Sequence, residues 1–441
     1  MRSSVRRAAL CLAMTSSLAG CDLFFGEDEG PPLPGERISV LRLNRSLVAD
    51  PAISDLRVRL PRPYENSEWP QTGGFAGHAM HHLAAPDALT AAWTADVGDA
   101  AGDDAVIIAQ PVVSDGRLFA MDAGATVSAR DAGSGAAIWQ VDLTPDEERD
   151  GLFGGGLAID EGRLFVTTPF GLVFALDPAT GAELWRTRLP TPVRTAPTAS
   201  GGRVFAITLD NQLFALAADD GRRLWSYSGV IEDAGLLGGA APAVVGSTVI
   251  VGFSSGELTA LKAETGRVLW GDNLAGVARG DAIATLADIR GLPVADRDRL
   301  IAVSNSGNMA AFDINRGGRV WTAAIASNQT PWVAGDFIFV ISTDAEIICL
   351  TRDDGRVRWI QALPRYADEA DQEDPIHWSG PVLVGDRLIV NGSNGEAFSV
   401  SPYTGEILGV IRLPARSFVA PAVANNTVYI LSDDAVLTAL R

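Results

Sequence analysis

The residues able to do chemistry in this 441-residue chain are few and poorly spaced for it. Of three cysteines, Cys11 and Cys21 lie near the start, and Cys349 stands alone in the apolar stretch from Ala345 to Leu350. One body cysteine can make no internal disulfide, no C-x-x-C metal or redox site and no haem attachment, so Cys349 is expected as a buried, inert thiol. His78, His81 and His82 fall within five positions, with His377 far off. No cysteine or well-spaced acid completes a ligand set, so these histidines are expected to pack or to lie at the surface, without a metal. No G-x-S-x-G elbow, Walker loop or dinucleotide-binding glycine run before a helix occurs. Gly154-Gly155-Gly156 lies among β patterns and reads as a loop that lets backbones approach closely. The acids gather at turn positions (Asp131, Asp177, Asp219, Asp220, Asp353, Asp354), where a carboxylate caps backbone N–H groups. The expectation is a protein with no catalytic residues and no cofactor.

Composition narrows the classes further. The chain has 35 Lys+Arg against 54 Asp+Glu, a formal charge of −19, which argues against a nucleic-acid partner. Apolar residues make up 47% and charged ones 20%, enough to bury a large core.

The N-terminus reads as an address. Arg2, Arg6 and Arg7 precede an apolar core beginning Ala8 to Met14, and then comes Leu18-Ala19-Gly20-Cys21. A positive start, a short apolar core and small residues predict a signal peptide over residues 1–20. A cysteine directly after Leu-Ala-Gly resembles the bacterial lipoprotein box, which implies a diacylated Cys21 as the first residue after cleavage. Residues 21–66 are expected as a lipidated tether, acidic and rich in Pro and Gly at its start. No other segment approaches 18 consecutive apolar residues, so the membrane contact expected is the lipid alone.

Residues 67–441 carry one motif repeated. Ala129-Arg130-Asp131 leads to Gly135 and Trp139, and Ala175-Leu176-Asp177 leads to Thr180-Gly181 and Trp185. Equivalent copies end at Trp225, Trp270, Trp321 and Trp359, and a degenerate copy has Gly409 where tryptophan would stand. Each copy predicts a β-hairpin: an alternating apolar strand, a turn with an acid and a left-handed glycine, then a strand bearing a tryptophan that docks on a neighbouring sheet. With a further strand pair before each hairpin, and tryptophans 38–51 residues apart, the unit is a propeller blade of four strands. Trp93 has no strand before it, and Ala435 to Leu440 ends where a turn and tryptophan strand should follow. Pairing them closes the ring and removes the sheet edges. The predicted fold is all-β, an eight-bladed propeller of four-stranded antiparallel blades, one of them built from both ends of the repeat region. Trp93, Trp139, Trp185, Trp225, Trp270, Trp321 and Trp359 are its expected docking residues.

The A-x-D-x-x-T-G-x-x-x-W hairpin resembles the tryptophan-docking repeat of quinoprotein (PQQ) dehydrogenases and their non-enzymatic relatives, over nearly all of residues 69–441. With the lipoprotein box, and with Trp69-Pro70-Gln71-Thr72-Gly73-Gly74 followed by His78, His81 and His82, it looks like the BamB family of outer-membrane assembly lipoproteins, in its alphaproteobacterial form. That resemblance implies a non-enzymatic scaffold of the barrel-assembly (BAM) complex, anchored through Cys21 at the periplasmic face of the outer membrane. It implies binding to the POTRA domains of BamA and contact with nascent outer-membrane proteins. Asp22 departs from this, since in enteric bacteria an aspartate there tends to retain lipoproteins in the inner membrane. The family's partner contact maps onto Leu236, Leu237 and Asp288. The basic residue of the family's Leu-x-Leu-Arg is missing from Ala234-Gly235-Leu236-Leu237, and Arg290 stands where a second acid is expected. Two other readings stay open: another envelope propeller that binds peptide or polysaccharide, and a PQQ-dependent dehydrogenase. The enzyme would need a cation held by carboxylate and amide oxygens, an aspartate base, and commonly an adjacent-cysteine disulfide that this chain lacks.

Overall fold

The computed structural model describes residues 47–102, 106–146, 154–232, 235–276 and 286–441. The signal segment, Cys21 and Asp22 lie outside the described residues, and residues Leu47–Arg441 form one compact unit.

Eight four-stranded antiparallel sheets follow one another around a ring. Blade 1 holds strands Val112–Ser114, Arg117–Met121, Thr126–Asp131 and Ala137–Asp142; blade 2 runs from Gly156 to Arg188, and blade 3 from Thr198 to Ser228. Blades 4, 5 and 6 run from Ala243 to Asn273, from Val294 to Ala323 and from Trp332 to Ala362. Blade 7 spans Trp378 to Arg412. Blade 8 takes three strands from Ala422–Ala424, Thr427–Leu431 and Val436–Leu440, and its outermost strand is Ala91–Asp96 from the other end of the propeller. The first strands, short and buried, line the axis and contact one another between blades, and the fourth strands face solvent. Between blades 6 and 7 a small exposed hairpin, Tyr366–Asp368 with Glu373–Pro375, stands outside the repeat.

The ten-residue spacing of the motif has a geometric meaning. Ala129, Ala175, Ala215, Ala260, Ala311 and Cys349 lie directly opposite Trp139, Trp185, Trp225, Trp270, Trp321 and Trp359, each just before a register shift in the hairpin. On the other side of the same small residue the second strand often carries an aromatic ring, such as Phe119, Phe165, Phe205 or Phe339. Strands two apart in a sheet lie about 10 Å apart. Over a small central side chain the two rings lean together, with centroids 5.8 Å apart in Phe119–Trp139 and 5.9 Å in Phe339–Trp359. Cys349 therefore occupies an alanine slot, and burial raises its thiol pKa well above the usual value.

The turns follow from their side chains. Asp177 Oδ1 accepts from the N–H groups of Ala179 at 2.8 Å and Thr180 at 3.0 Å, and Gly181 adopts φ of 74°. A Cβ on Gly181 would lie 2.7 Å from the Trp139 ring, so glycine is required both for the turn and for the indole that covers it.

Residues before the first blade are laid along the propeller. Asp50 N–H donates to Val357 O at 2.8 Å and its carboxylate meets Arg356 at 2.8 Å, which ties this strap to the outer strand of blade 6. From Asn66 to Leu83 the chain then visits the inner strands in turn. Asn425 N–H donates to Asn66 O (blade 8), and Trp69 exchanges both backbone bonds with Val113 (blade 1). Ile159 N–H reaches Pro70 O (blade 2) and the Gln71 side chain pairs with the Ala199 backbone (blade 3). Val244 and Ala295 N–H groups donate to Ala76 and Gly77 (blades 4 and 5), Trp332 Nε1 to His81 O (blade 6), and Gly385 N–H to Leu83 O (blade 7). One segment of about twenty residues thus ties all eight blades together across one mouth of the channel.

Candidate functional site

Two regions qualify, a rim loop and the channel it borders. Of the rim segment, residues 235–238 and 286–292 are described, while Ala234 and residues 281–285 lie outside the described residues. Leu237 is exposed (42%), Leu236 is half-buried, and Gly238 takes φ of 81° to turn the chain inward. Asp288 is buried at 1% exposure and pairs at 3.2 Å with Arg194, from the loop before blade 3. The same guanidinium donates to Leu236 O at 2.9 Å and to Gly238 O at 2.7 Å. Leu236 and Asp288 are thus brought together through Arg194, with Leu237 pointing to solvent and Asp288 holding the loop from behind. Burial raises the Asp288 carboxyl pKa, a rise opposed by the charge of Arg194. Arg194 was missed by sequence reasoning; as a lone arginine before a predicted strand it carries no local signal.

The seven tryptophans sit on the fourth strands and cover the turn glycine of the next blade, as Trp93 does Gly135, Trp225 does Gly266 and Trp359 does Gly405. Trp185, Trp270, Trp321 and Trp359 are buried, while Trp93, Trp139 and Trp225 are half-buried. Six of them donate the indole N–H to a carbonyl of the turn they cover: Trp139 to Pro178, Trp185 to Ala218, Trp225 to Ala263, Trp270 to Ile314, Trp321 to Arg352 and Trp359 to Pro402, at 2.8–3.1 Å. Trp93 Nε1 has no partner among the described residues.

The channel retains a cavity of about 150 Å³ lined from all eight blades and from the crossing segment. Its polar wall includes Thr72, His78, Gln110, Arg194, Thr195, Arg290, Asn328, Gln329 and Thr330 and, among the described residues, no carboxylate. A PQQ site needs acidic oxygens to hold its cation and a carboxylate base. This lining offers neither, so the residues do not fit that cofactor. Among the described residues no three His, Cys, Asp or Glu side chains cluster to hold a metal. His78 is buried with Nδ1 donating to Pro293 O at 2.8 Å, and burial lowers its pKa to about 4. His82 is buried against Pro61 O, and His81 stands at the edge, 3.6 Å from Asp296.

A closed propeller of tryptophan-docked blades, with a segment laid across its channel, defines the class: a PQQ-like repeat propeller. The family model for outer membrane protein assembly factor BamB matches residues 123–361, more than half of the chain. The chain belongs to the BamB family. The BamB of Yersinia pestis is 27% identical over 349 residues, covering 77% of this chain and 86% of that one. The protein of the same name from Escherichia coli K12 is 25% identical over 388 residues, with 78% and 87% covered. Among solved structures, BamB from Moraxella catarrhalis superposes with a TM-score of 0.66 at 24% identity, covering 80% of this chain and all (100%) of that one. Quinohemoprotein alcohol dehydrogenase from Comamonas testosteroni matches equally well, at a TM-score of 0.66 and 14% identity, covering 85% and 80%. The shared ring therefore shows the fold and leaves the function to the sites.

Proposed function

We propose that this chain is a non-enzymatic scaffold lipoprotein of the BAM complex, of the alphaproteobacterial type, that binds the POTRA domains of BamA. It supports the folding and insertion of outer-membrane proteins, which it contacts in nascent form. A signal peptide over residues 1–20 delivers it to the periplasmic face of the outer membrane, where a lipid on Cys21 anchors it. The lipid is followed by a tether that leads into the strap along blade 6. The observation that carries the partner reading is the rim loop: Leu237 is held exposed on a backbone that the buried Arg194–Asp288 pair braces from within. Bracing lowers the ordering cost of binding, which makes this exposed leucine a candidate contact.

The test is capture of the cognate POTRA domains. Leu236→Ala/Leu237→Ala should lose at least tenfold in affinity with little change in melting temperature, Leu237 being exposed and Leu236 half-buried. Asp288→Ala should lose both binding and about 3–5 kcal/mol of stability, because it strands a buried guanidinium. If the double leucine variant folds and binds as well as wild type, the site is elsewhere. If wild type captures no POTRA domain, the scaffold reading itself falls. Cys21→Ala should release the protein from the membrane fraction.

A further inference from the structure

Among the described residues, the channel lining carries two guanidiniums and no carboxylate. Arg194 and Arg290 both line the 150 Å³ cavity. Arg194 is committed to Asp288, Leu236 O and Gly238 O. Arg290 has no ion pair among the described residues; Asp288 is the carboxylate that favours its charge, Arg194 opposes it, and burial lowers its pKa. Asp288 is thus in contact with Arg194 and acts on the half-buried Arg290 only through its charge. Around the same cavity Thr72 Oγ1, His78 Nε2 and Asn328 Oδ1 have no hydrogen-bond partner among the described residues. His78 Nδ1 faces a carbonyl and so carries the hydrogen, which leaves Nε2 as an acceptor.

The geometry points to a small-oxyanion site in the channel, in which Arg290 binds a carboxylate or phosphate group of a single net charge. Three features select that ligand. The guanidinium fork matches two oxygens of an oxyanion. One negative charge cancels the excess of one. The volume equals that of roughly five water molecules, well below the roughly 300–1,000 Å³ of pockets for drug-sized ligands, so the occupant is small. A hydroxyl on the ligand would also serve the orphan acceptors, which favours a hydroxy-acid over acetate. Because Arg194 grips the rim loop at Leu236 and Gly238 while facing the same cavity, occupancy and loop position are physically linked.

The site would exist in the isolated chain, with or without a partner. Thermal unfolding of the full chain should be measured in sodium glycolate, sodium acetate, sodium phosphate and sodium chloride at equal ionic strength and pH. Wild type should melt about 2 °C or more higher in at least one oxyanion than in chloride, and the ranking tells carboxylate from phosphate as the source. Arg290→Gln should abolish that difference, and in chloride it should melt at or above wild type because a half-buried cation without an ion pair among the described residues is gone. Titration calorimetry should give one site per chain for wild type and none for the variant. Indifference of wild type to every oxyanion, an undiminished response in Arg290→Gln, or a lower melting point of that variant in chloride would each overturn the assignment.

Discussion

Blade junctions come in two kinds, and the contrast teaches how the ring is held. At the six standard junctions, from blade 1–2 to blade 6–7, a tryptophan lies on the next blade's turn glycine and hydrogen-bonds a carbonyl of that turn. The closing blade alters both of its junctions. In blade 8 the third and fourth strands are joined without a turn, by the reciprocal backbone bonds of Thr90 and Arg441. Blade 7 consequently has no turn glycine to cover, and its tryptophan position is Gly409, paired with Ser399. On the far side, Trp93 covers Gly135, but the carbonyl its indole would take, Ala132 O, already accepts from Tyr429 Oη at 3.0 Å and Arg441 at 3.2 Å. Closure thus exchanges a covalent turn and an indole bond for a tyrosine, an arginine and strand pairing.

That contrast can be broken most severely at a standard junction. Trp359→Ala or Trp321→Ala should cost about 3–5 kcal/mol, because each removes a buried indole and strands a carbonyl. Trp93→Ala should cost clearly less, being half-buried with no indole bond to lose. Equal losses in equilibrium denaturation would show the junctions to be equivalent after all.

The crossing segment offers the next largest effect. His78 is held neutral with a pKa of about 4 against an ordinary 6.5, so the unfolded chain binds its proton first as pH falls. Stability should therefore drop between about pH 6.5 and 4, by up to about 3 kcal/mol. Asp433 opposes this: burial raises its pKa to about 6, so the folded chain binds that proton first and gains between about pH 6 and 3.8. In Asp433→Asn the acid loss should be steeper than in wild type, and in His78→Gln shallower; pH-dependent urea titrations separate the two. The smallest change is Tyr429→Phe, which removes one of two donors to Ala132 O and should cost about 1 kcal/mol. A loss as large as that of Trp359→Ala would mean that the hydroxyl, rather than strand pairing, closes the ring.

What was legible from sequence was periodic or local. The Ala-to-Trp spacing of ten residues determined the hairpins, the acids and glycines determined their turns, and unpaired strands at both ends determined an eighth blade. Family membership was also legible, once the repeat was joined to the lipoprotein box and the Trp69–Gly74 segment. In the rim segment the structure places Leu237 exposed, Leu236 half-buried and Asp288 buried. Only the tertiary structure decided that Leu236 and Asp288 are joined through Arg194, 42 and 94 residues away in the chain. It also decided that Arg290 turns into the channel, and that residues 66–83 lace the eight blades together. These features rest on single side chains or on backbone groups of an irregular segment. Their partners are set by the closure of the ring, so no period or neighbour in the sequence records them.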